Sequence, residues 1–350
     1  MDFDLSPDQL ALRDAAADLL DRECTSERVR GADDGFDVDL WRLMVEQGWT
    51  GVAVPAELGG LGLGTVEIAL LLEQVGAHVA PVPLTQQLLA LDALAATERG
   101  EALLDGATLA CVARRPLTRN ADGTVSGRPE PVIHGARADL LVAPATTDTG
   151  EVELVVVDLG GVGRVAEPAM DRTRQLARID LDRADARTVG DADAVAAHLD
   201  RGAVFHSAEL LGAADAVMRL AVGYAKDREQ FGRPIGSFQA VKHRCADMLV
   251  DVEGMRAAVY HAAWAIGAGD VEGPVAAATA KIWCSDAGLR VAESALQVHG
   301  GVGFTWESDV HLYLKRVQLD RVAFGDARHH RARLASLLAR RLETGGSVLA

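Results

Sequence analysis

Apolar residues, most of them leucine, recur at roughly helical spacing over the first part of the chain. Ser6 stands before Pro7, and a serine cap followed by proline at the first helical position is typical of a helix start. A second segment, Val38 to Gln47, stops at Gly48, a residue suited to ending a helix. The pattern therefore predicts an N-terminal helical domain over residues 1–103.

The middle of the chain, residues 104–192, changes to short runs that are rich in β-branched and apolar residues. Such runs, separated by turn residues, are typical of strands. The expected strands are Leu109–Val112, Leu140–Ala143, Val152–Asp158 and Ala177–Leu181, with turns at Asp122-Gly123 and Thr149-Gly150. The pattern predicts a small middle β domain.

Residues 193–350 return to long amphipathic stretches that are rich in Ala and Leu. The expected helices are Asp193–Lys226, Ser237–Ala268, Pro274–His299 and Val317–Arg341. Helices of this length predict a C-terminal four-helix bundle, whose outer faces commonly build oligomers. The fold class that follows is α+β, mainly α.

A glycine-rich run, Gly59–Gly64, has the composition of a phosphate-binding loop. It follows Pro55-Ala56-Glu57 rather than a strand, and it lacks the Lys-Ser/Thr pair of a P-loop. We interpret it as a turn between helices.

Composition and charge narrow the class of protein. The chain has 350 residues, is 49% hydrophobic and carries a formal charge of −16, so it can bury a large core and is expected to repel nucleic acid. Its N-terminus has no apolar run, and no long uncharged apolar stretch is present, so we expect neither a signal peptide nor a membrane span. The spacing of Cys24, Cys111, Cys245 and Cys284 favours neither a disulfide framework nor a metal site. We expect a cytoplasmic protein.

Two segments in the last third carry candidate chemistry. In the first, Asp227–Ile235, the guanidinium of Arg228 is suited to gripping two phosphate oxygens, and Phe231 offers an apolar face. Gly232 permits a turn directly after the helix. The alternative is a plain helix C-terminus at which Arg228 faces the last carbonyls. The second segment, Gln297–Phe304, contains Gly300-Gly301, where main-chain amides are open to a close approach.

Together with Leu5–Gln9, Gly48–Gly64, Phe238–His243 and Ala280-Lys281, these segments resemble the acyl-CoA dehydrogenase family over nearly the whole chain. The resemblance implies an N-terminal helical domain, a middle β-barrel and a C-terminal four-helix bundle. It implies FAD and an acyl-CoA thioester, which such an oxidoreductase desaturates between its α and β carbons. A carboxylate takes the α-proton, and the β-hydrogen leaves as hydride to the flavin.

The resemblance also implies a set of FAD-binding residues, placed across a dimer interface so that the flavin lies partly in a neighbouring subunit. They are Arg228, Gln230, Phe231, Phe238, Gln239, Gln297, Gly300 and Gly301. No metal is implied.

The departures from the family pattern concern catalysis. The family base, usually a Glu, occupies one of two positions, which are Phe324 and Gly202 here, and neither residue accepts a proton. Asp326 and Glu209 are nearby carboxylates, which we interpret as solvated or capping residues. The segment Val112–Leu117 stands where the family has a flavin-cradling Thr-Glu-Pro…Gly-Ser-Asp stretch.

Three hypotheses follow. The first is a subunit that completes the FAD site of a hetero-oligomer, in which a homologous chain supplies the base. Heterotetramers of this kind are typical of the breakdown of bulky acyl chains, including steroid side chains, and pass electrons to an acceptor. The second is an autonomous homo-oligomer that uses Asp326 or Glu209. The third is a non-catalytic scaffold of the same fold.

Two further clusters of polar residues are interpreted as structural rather than functional. The stretch His329–Arg333 is expected to form a solvated or interface face of the last helix rather than a metal site. Trp306, Glu307, Asp309 and His311 are expected to cap or pack a loop rather than act as an acid and base.

Overall fold

The computed structural model describes residues 4–32 and 34–343. The described residues divide into two compact units. One unit takes those within 1–26, 69–80 and 203–350, and the other takes those within 27–68 and 81–202. No helix among the described residues has both the length and the apolar character that crossing a membrane requires.

Helices form the N-terminal region, as the pattern predicts. Ser6 caps the first helix through a reciprocal pair of hydrogen bonds with Gln9, so the serine–proline start is confirmed. The run Gly59–Gly64 lies in a loop, and Gly59 has a φ of +86°. The helices are α1 (Pro7–Glu23), α2 (Ser26–Gly31), α3 (Val38–Glu46), α4 (Thr65–Ala77), α5 (Leu84–Leu94) and α6 (Gly100–Leu104).

The strands of the middle region belong to one unit and form a closed sheet. They are β1 (Ala110–Val112), β2 (Leu117–Arg119), β3 (Thr124–Gly127), β4 (Val132–Ile133), β5 (Leu140–Thr146), β6 (Val152–Asp158), β7 (Gly163–Glu167) and β8 (Leu176–Gly190). Pairing runs from β2 to β3, then β8, β6 and β5, and returns to β2. The predicted β-barrel is therefore confirmed.

The barrel encloses a core of small apolar side chains. Leu141 and Ala143 of β5 and Val155 and Val157 of β6 are completely buried in it. Two buried glutamines of α5 hold the edge strand β1. Gln87 accepts a hydrogen bond from the Ala110 amide at 3.0 Å, and Gln86 accepts one from the Val112 amide at 3.2 Å. Side-chain amides thus satisfy main-chain groups that the sheet leaves unpaired.

The C-terminal region is a helical bundle. It contains α7 (Ala192–Asp227), β9 (Glu229–Gln230), β10 (Arg233–Pro234), α8 (Gln239–Gly267), α9 (Gly273–His299), α10 (Val310–Asp320) and α11 (Ala327–Glu343). Gly288 of α9 faces Leu210 of α7, Met255 of α8 and Val317 of α10, so α9 lies among the other three helices. The prediction of one last helix over Val317–Arg341 is wrong, because the chain turns between α10 and α11.

Two glycines let α4 and α7 approach closely within the same unit. A Cβ on Gly212 would lie 1.8 Å from the Glu73 carbonyl oxygen, and one on Gly76 would lie 2.0 Å from that of Glu209. No side chain fits at either position, so glycine is required where the two backbones meet.

Candidate functional site

A tight hairpin follows α7 and carries Arg228. Strand β9 pairs with β10, and the two turn residues, Phe231 and Gly232, have φ angles of +54° and +77°. Positive φ at both central positions is the geometry of a two-residue hairpin turn. The Ile235 amide donates to the Arg228 carbonyl at 2.8 Å, which fixes the base of the hairpin. The Arg228 side chain is exposed and forms no ion pair with any described residue.

Aromatic side chains line the other side of this hairpin. Phe231 is 93% exposed, an unusual state for so large an apolar side chain. Its ring meets that of Phe238 edge-on at 6.1 Å, and the Arg233 guanidinium lies 4.2 Å from the Phe238 centroid. Phe238 is the N-cap of α8, and the exposed Gln239 is its first residue. The hairpin therefore presents an apolar ring and polar groups together.

The second predicted segment begins where α9 ends. Gly300 has a φ of +60° and follows the last helical residue, His299. A Cβ placed on Gly300 or Gly301 would meet nothing within 4 Å, so the main chain here faces open space. Gln297 is exposed one turn earlier.

One aromatic pair brings the two segments together. Tyr224, one turn before Arg228, stacks on His299 with centroids 4.5 Å apart and an interplanar angle of 23°. The ends of α7 and α9 therefore adjoin at one end of the bundle. The site combines an arginine that forms no ion pair among the described residues, an exposed aromatic ring and open glycine backbone.

A buried phenylalanine, Phe324, stands at the first of the two positions at which the resemblance places the catalytic base. Phe324 is 7% exposed and stacks on His206, with ring centroids 5.5 Å apart and an interplanar angle of 27°. Its φ is +54°, and its carbonyl lies 2.9 Å from Nε2 of His330. His330 is buried, so the prediction of a solvated face is wrong for this residue. Burial lowers the pKa of His330 to about 4, so a neutral imidazole donates to that carbonyl.

The other predicted positions offer no poised base. Gly202 lies within α7. Asp326 accepts the His329 amide at 2.8 Å at the start of α11, and this hydrogen bond is the main cause of its lowered pKa. A carboxylate in that role caps a helix. Glu209 is completely buried in the interior of α7, so its interpretation as a solvated or capping residue is wrong.

The segment Val112–Leu117 stands where the resemblance places the family's flavin-cradling stretch. Its main chain is hydrogen-bonded within the middle region. The Glu130 carboxylate accepts the Arg114 amide at 2.7 Å and the Arg115 amide at 3.0 Å. Glu130 thus already occupies two main-chain donors that a bound anion would otherwise use.

The Trp306 cluster packs as expected. The Trp306 ring stacks on His311 at 5.0 Å, and the Lys315 amino group lies 5.3 Å from the Trp306 centroid. Asp309 accepts a hydrogen bond from the Ser26 hydroxyl at 2.6 Å.

Sequence reasoning missed a buried polar cluster formed by His206, Glu209 and Asp320. The available signal was two polar residues, three positions apart, within the apolar stretch of α7.

Comparison with known proteins decides the family. The model of the acyl-CoA dehydrogenase C-terminal domain matches residues 192–339, and that of the N-terminal domain matches residues 6–97. The chain belongs to the acyl-CoA dehydrogenase family. It is 35% identical to acyl-CoA dehydrogenase IpdE2 of Mycolicibacterium smegmatis, over 94% of this chain and 98% of that protein.

Solved acyl-CoA dehydrogenases share the fold. A chain of the ChsE4-ChsE5 complex from Mycobacterium tuberculosis aligns with a TM-score of 0.91 and 31% identity, covering 97% of this chain and 99% of that one. A chain of the Tcur3481-Tcur3483 steroid acyl-CoA dehydrogenase variant aligns with a TM-score of 0.90 and 30% identity, covering 96% and 99%. FAD-dependent dehydrogenation of acyl-CoA is the function of this acyl-CoA dehydrogenase family.

Proposed function

We propose that this acyl-CoA dehydrogenase chain completes the FAD site of a hetero-oligomer and that a homologous partner chain supplies the catalytic base. One observation carries the proposal. A buried phenylalanine, Phe324, occupies the usual base position with its ring against His206. Desaturation removes a proton from the α carbon, and phenylalanine has no group to accept it.

The carboxylates of this chain do not replace that base. Asp326 is engaged in capping α11, which holds it as an anion hydrogen-bonded to the main chain. Glu209 is completely buried, where proton exchange with a thioester requires the bundle to open. Both observations support the subunit hypothesis over the autonomous homo-oligomer.

The exposed end of the bundle supports a retained FAD site and argues against a scaffold that binds no flavin. Arg228 would bind the pyrophosphate, and the Gly300-Gly301 backbone would lie along the dinucleotide. Phe231 and Phe238 would contact an apolar part of it, with Gln230, Gln239 and Gln297 as hydrogen-bonding groups. When bound, FAD supplies the hydride acceptor.

The substrate class we propose is a bulky, steroid-type acyl-CoA thioester. The support comes from relatives, since one matching structure is titled a steroid acyl-CoA dehydrogenase. The partner we propose is a homologous subunit, as in the ChsE4-ChsE5 complex. An electron-transferring flavoprotein is the proposed class of acceptor, and the cytoplasmic location remains a prediction from the sequence.

The test is dye reduction by the isolated chain and by the chain reconstituted with a homologous partner that carries the Glu. Short, long and steroid-type thioesters form the substrate panel. We expect turnover only by the pair, with the steroid-type thioesters preferred. Robust turnover by the isolated chain, lost in Asp326→Asn or Glu209→Gln, would establish the autonomous enzyme instead.

A further inference from the structure

The bundle core contains a polar cluster that the proposed chemistry does not use. His206 and Glu209 lie on α7, and Asp320 is the last residue of α10. All three side chains are completely buried, and one ligating atom of each lies within 4.8 Å of the others. Three titratable groups buried at this separation require a physical explanation, because the burial of polar and charged groups is costly.

The side chains of two members of the cluster form no hydrogen bond to any described residue. Both ring nitrogens of His206 and both carboxylate oxygens of Asp320 lack a hydrogen-bond partner among the described residues. Nδ1 of His206 lies 3.4 Å from Oδ1 of Asp320, yet the pair does not meet hydrogen-bond geometry. Buried polar atoms of native proteins nearly always have a partner, so these four atoms point to one that sits between them.

The separation of the two groups fits ligands of one metal ion. A tetrahedral ion with bonds of about 2.0–2.1 Å places neighbouring ligand atoms about 3.4 Å apart. His206 and Asp320 already have that spacing. Glu209, within 4.8 Å, needs to approach by at most about 1.4 Å, which a side-chain torsion provides.

The types of ligand atom restrict which cation fits. Lys281 is also completely buried, and its amino group donates to the main-chain carbonyl of Asp320 at 2.5 Å. An imidazole with two carboxylates suits zinc or a similar transition metal better than magnesium or calcium.

We propose that His206, Glu209 and Asp320 form a site for a divalent transition-metal ion, of the zinc class, in the core of the helical bundle. The Phe324 ring, stacked on His206, holds the imidazole in place. The three ligating side chains are completely buried. The site adjoins Phe324 and includes none of the proposed FAD-binding residues.

The test is metal retention by the full chain in complex with its partner subunit. The protein is freed of metal, loaded with Zn²⁺, dialysed against metal-free buffer and analysed by plasma mass spectrometry. We expect about one Zn²⁺ per chain. Retention should fall at least tenfold, on the order of the loss from disturbing ligand support, in Asp320→Asn and His206→Asn. His198→Asn, a buried histidine on the same helix, is the matched control and should retain the ion.

Cobalt gives a readout that does not depend on a variant folding. Co²⁺ loaded into the unaltered protein should show the visible absorption of a four- or five-coordinate site, and Zn²⁺ should displace it. Zinc far below one equivalent, equal zinc in the unaltered protein and Asp320→Asn, or a purely six-coordinate cobalt spectrum would each overturn the proposal. A proton or a water molecule would then be the partner of His206 and Asp320.

Discussion

The ring of Phe324 lies against the imidazole of His206, with centroids 5.5 Å apart and planes at 27°. The contact joins the turn after α10 to α7, at the position that the resemblance assigns to the catalytic carboxylate. His330 of α11 donates to the Phe324 carbonyl at 2.9 Å, so the main chain of Phe324 is fixed as well as its ring. Phenylalanine at this position is therefore part of the bundle core rather than a disordered loop residue.

Replacing Phe324 should reveal both its packing and its backbone strain. Phe324→Ala is expected to reduce the free energy of unfolding by about 3–5 kcal/mol through the cavity left behind. Phe324→Gly should cost no more than Phe324→Ala, because glycine adopts the positive φ without penalty. At Phe205, buried within α7, glycine should instead be about 1 kcal/mol worse than alanine. Urea unfolding of the four variants checks this, and glycine ranking below alanine at both sites would contradict it.

Arg228→Ala should weaken FAD retention by the assembled complex. Loss of a charge-assisted phosphate contact costs on the order of 1.5–3 kcal/mol, which is about 10–150-fold in affinity. Arg219 is a suitable control, since it is exposed on α7, the helix that precedes Arg228, and pairs with Asp215. FAD stoichiometry after dialysis is the measurement. Equal retention by Arg228→Ala and Arg219→Ala would place the dinucleotide elsewhere.

Removing Glu73 should destabilise the bundle. Its buried carboxylate accepts hydrogen bonds from Arg256 and from the Tyr260 hydroxyl. Glu73→Ala leaves both donors without this partner and is expected to cost about 3–5 kcal/mol. Glu253, an exposed partner of the same arginine, should change stability by less than about 0.5 kcal/mol when replaced by alanine. Similar losses for the two variants would refute the distinction.

Stability should fall as the pH is lowered from about 6.5 to about 4. Burial lowers the pKa of His198 and of His330 to about 4, from an ordinary value of 6.5. Between these pH values both histidines are protonated in the unfolded chain and neutral in the folded chain. Each histidine therefore lowers the free energy of unfolding by about 1.4 kcal/mol per pH unit. Above about pH 6.5 neither histidine makes the stability depend on pH. His198→Asn should flatten the dependence of the urea midpoint on pH, whereas His261→Asn, at an exposed position, should not. An unchanged slope in His198→Asn would contradict this.

The sequence predicted the order of the helical and β regions because apolar periodicity reports local burial, but the runs that it named account for only β1, β5, β6 and β8 of the eight strands in the middle region. The prediction of a single last helix failed at the end of α10, where the apolar spacing continues across a turn. Gly325 and Asp326 were the available signals, since glycine permits a φ of +101° and Asp326 caps the next helix. The extent of β8 was also underestimated. The second half of β8 is charged and only partly buried, so its apolar pattern does not indicate a strand. It is a strand because it pairs with β3 and β6.

The motifs of the proposed FAD site were visible in the sequence, but their proximity was not. The stack of Tyr224 on His299 joins segments that are far apart in the chain, and neither residue belongs to the predicted set. The polar cluster of the core was hidden for the same reason. Asp320 meets His206 only after α10 packs in the bundle, and periodicity within one helix carries no information about its neighbour.

In the proposed hetero-oligomer, the proton acceptor belongs to the partner chain. Anaerobic mixing of a thioester with the FAD-loaded pair, followed by flavin absorbance, tests it in a single turnover. We expect rapid bleaching by the pair and by a pair containing Phe324→Leu. A pair whose partner has its catalytic Glu replaced by Gln should lose about 10²–10⁴-fold in rate. Bleaching that survives this change in the partner, or that occurs with the isolated chain, would contradict the account.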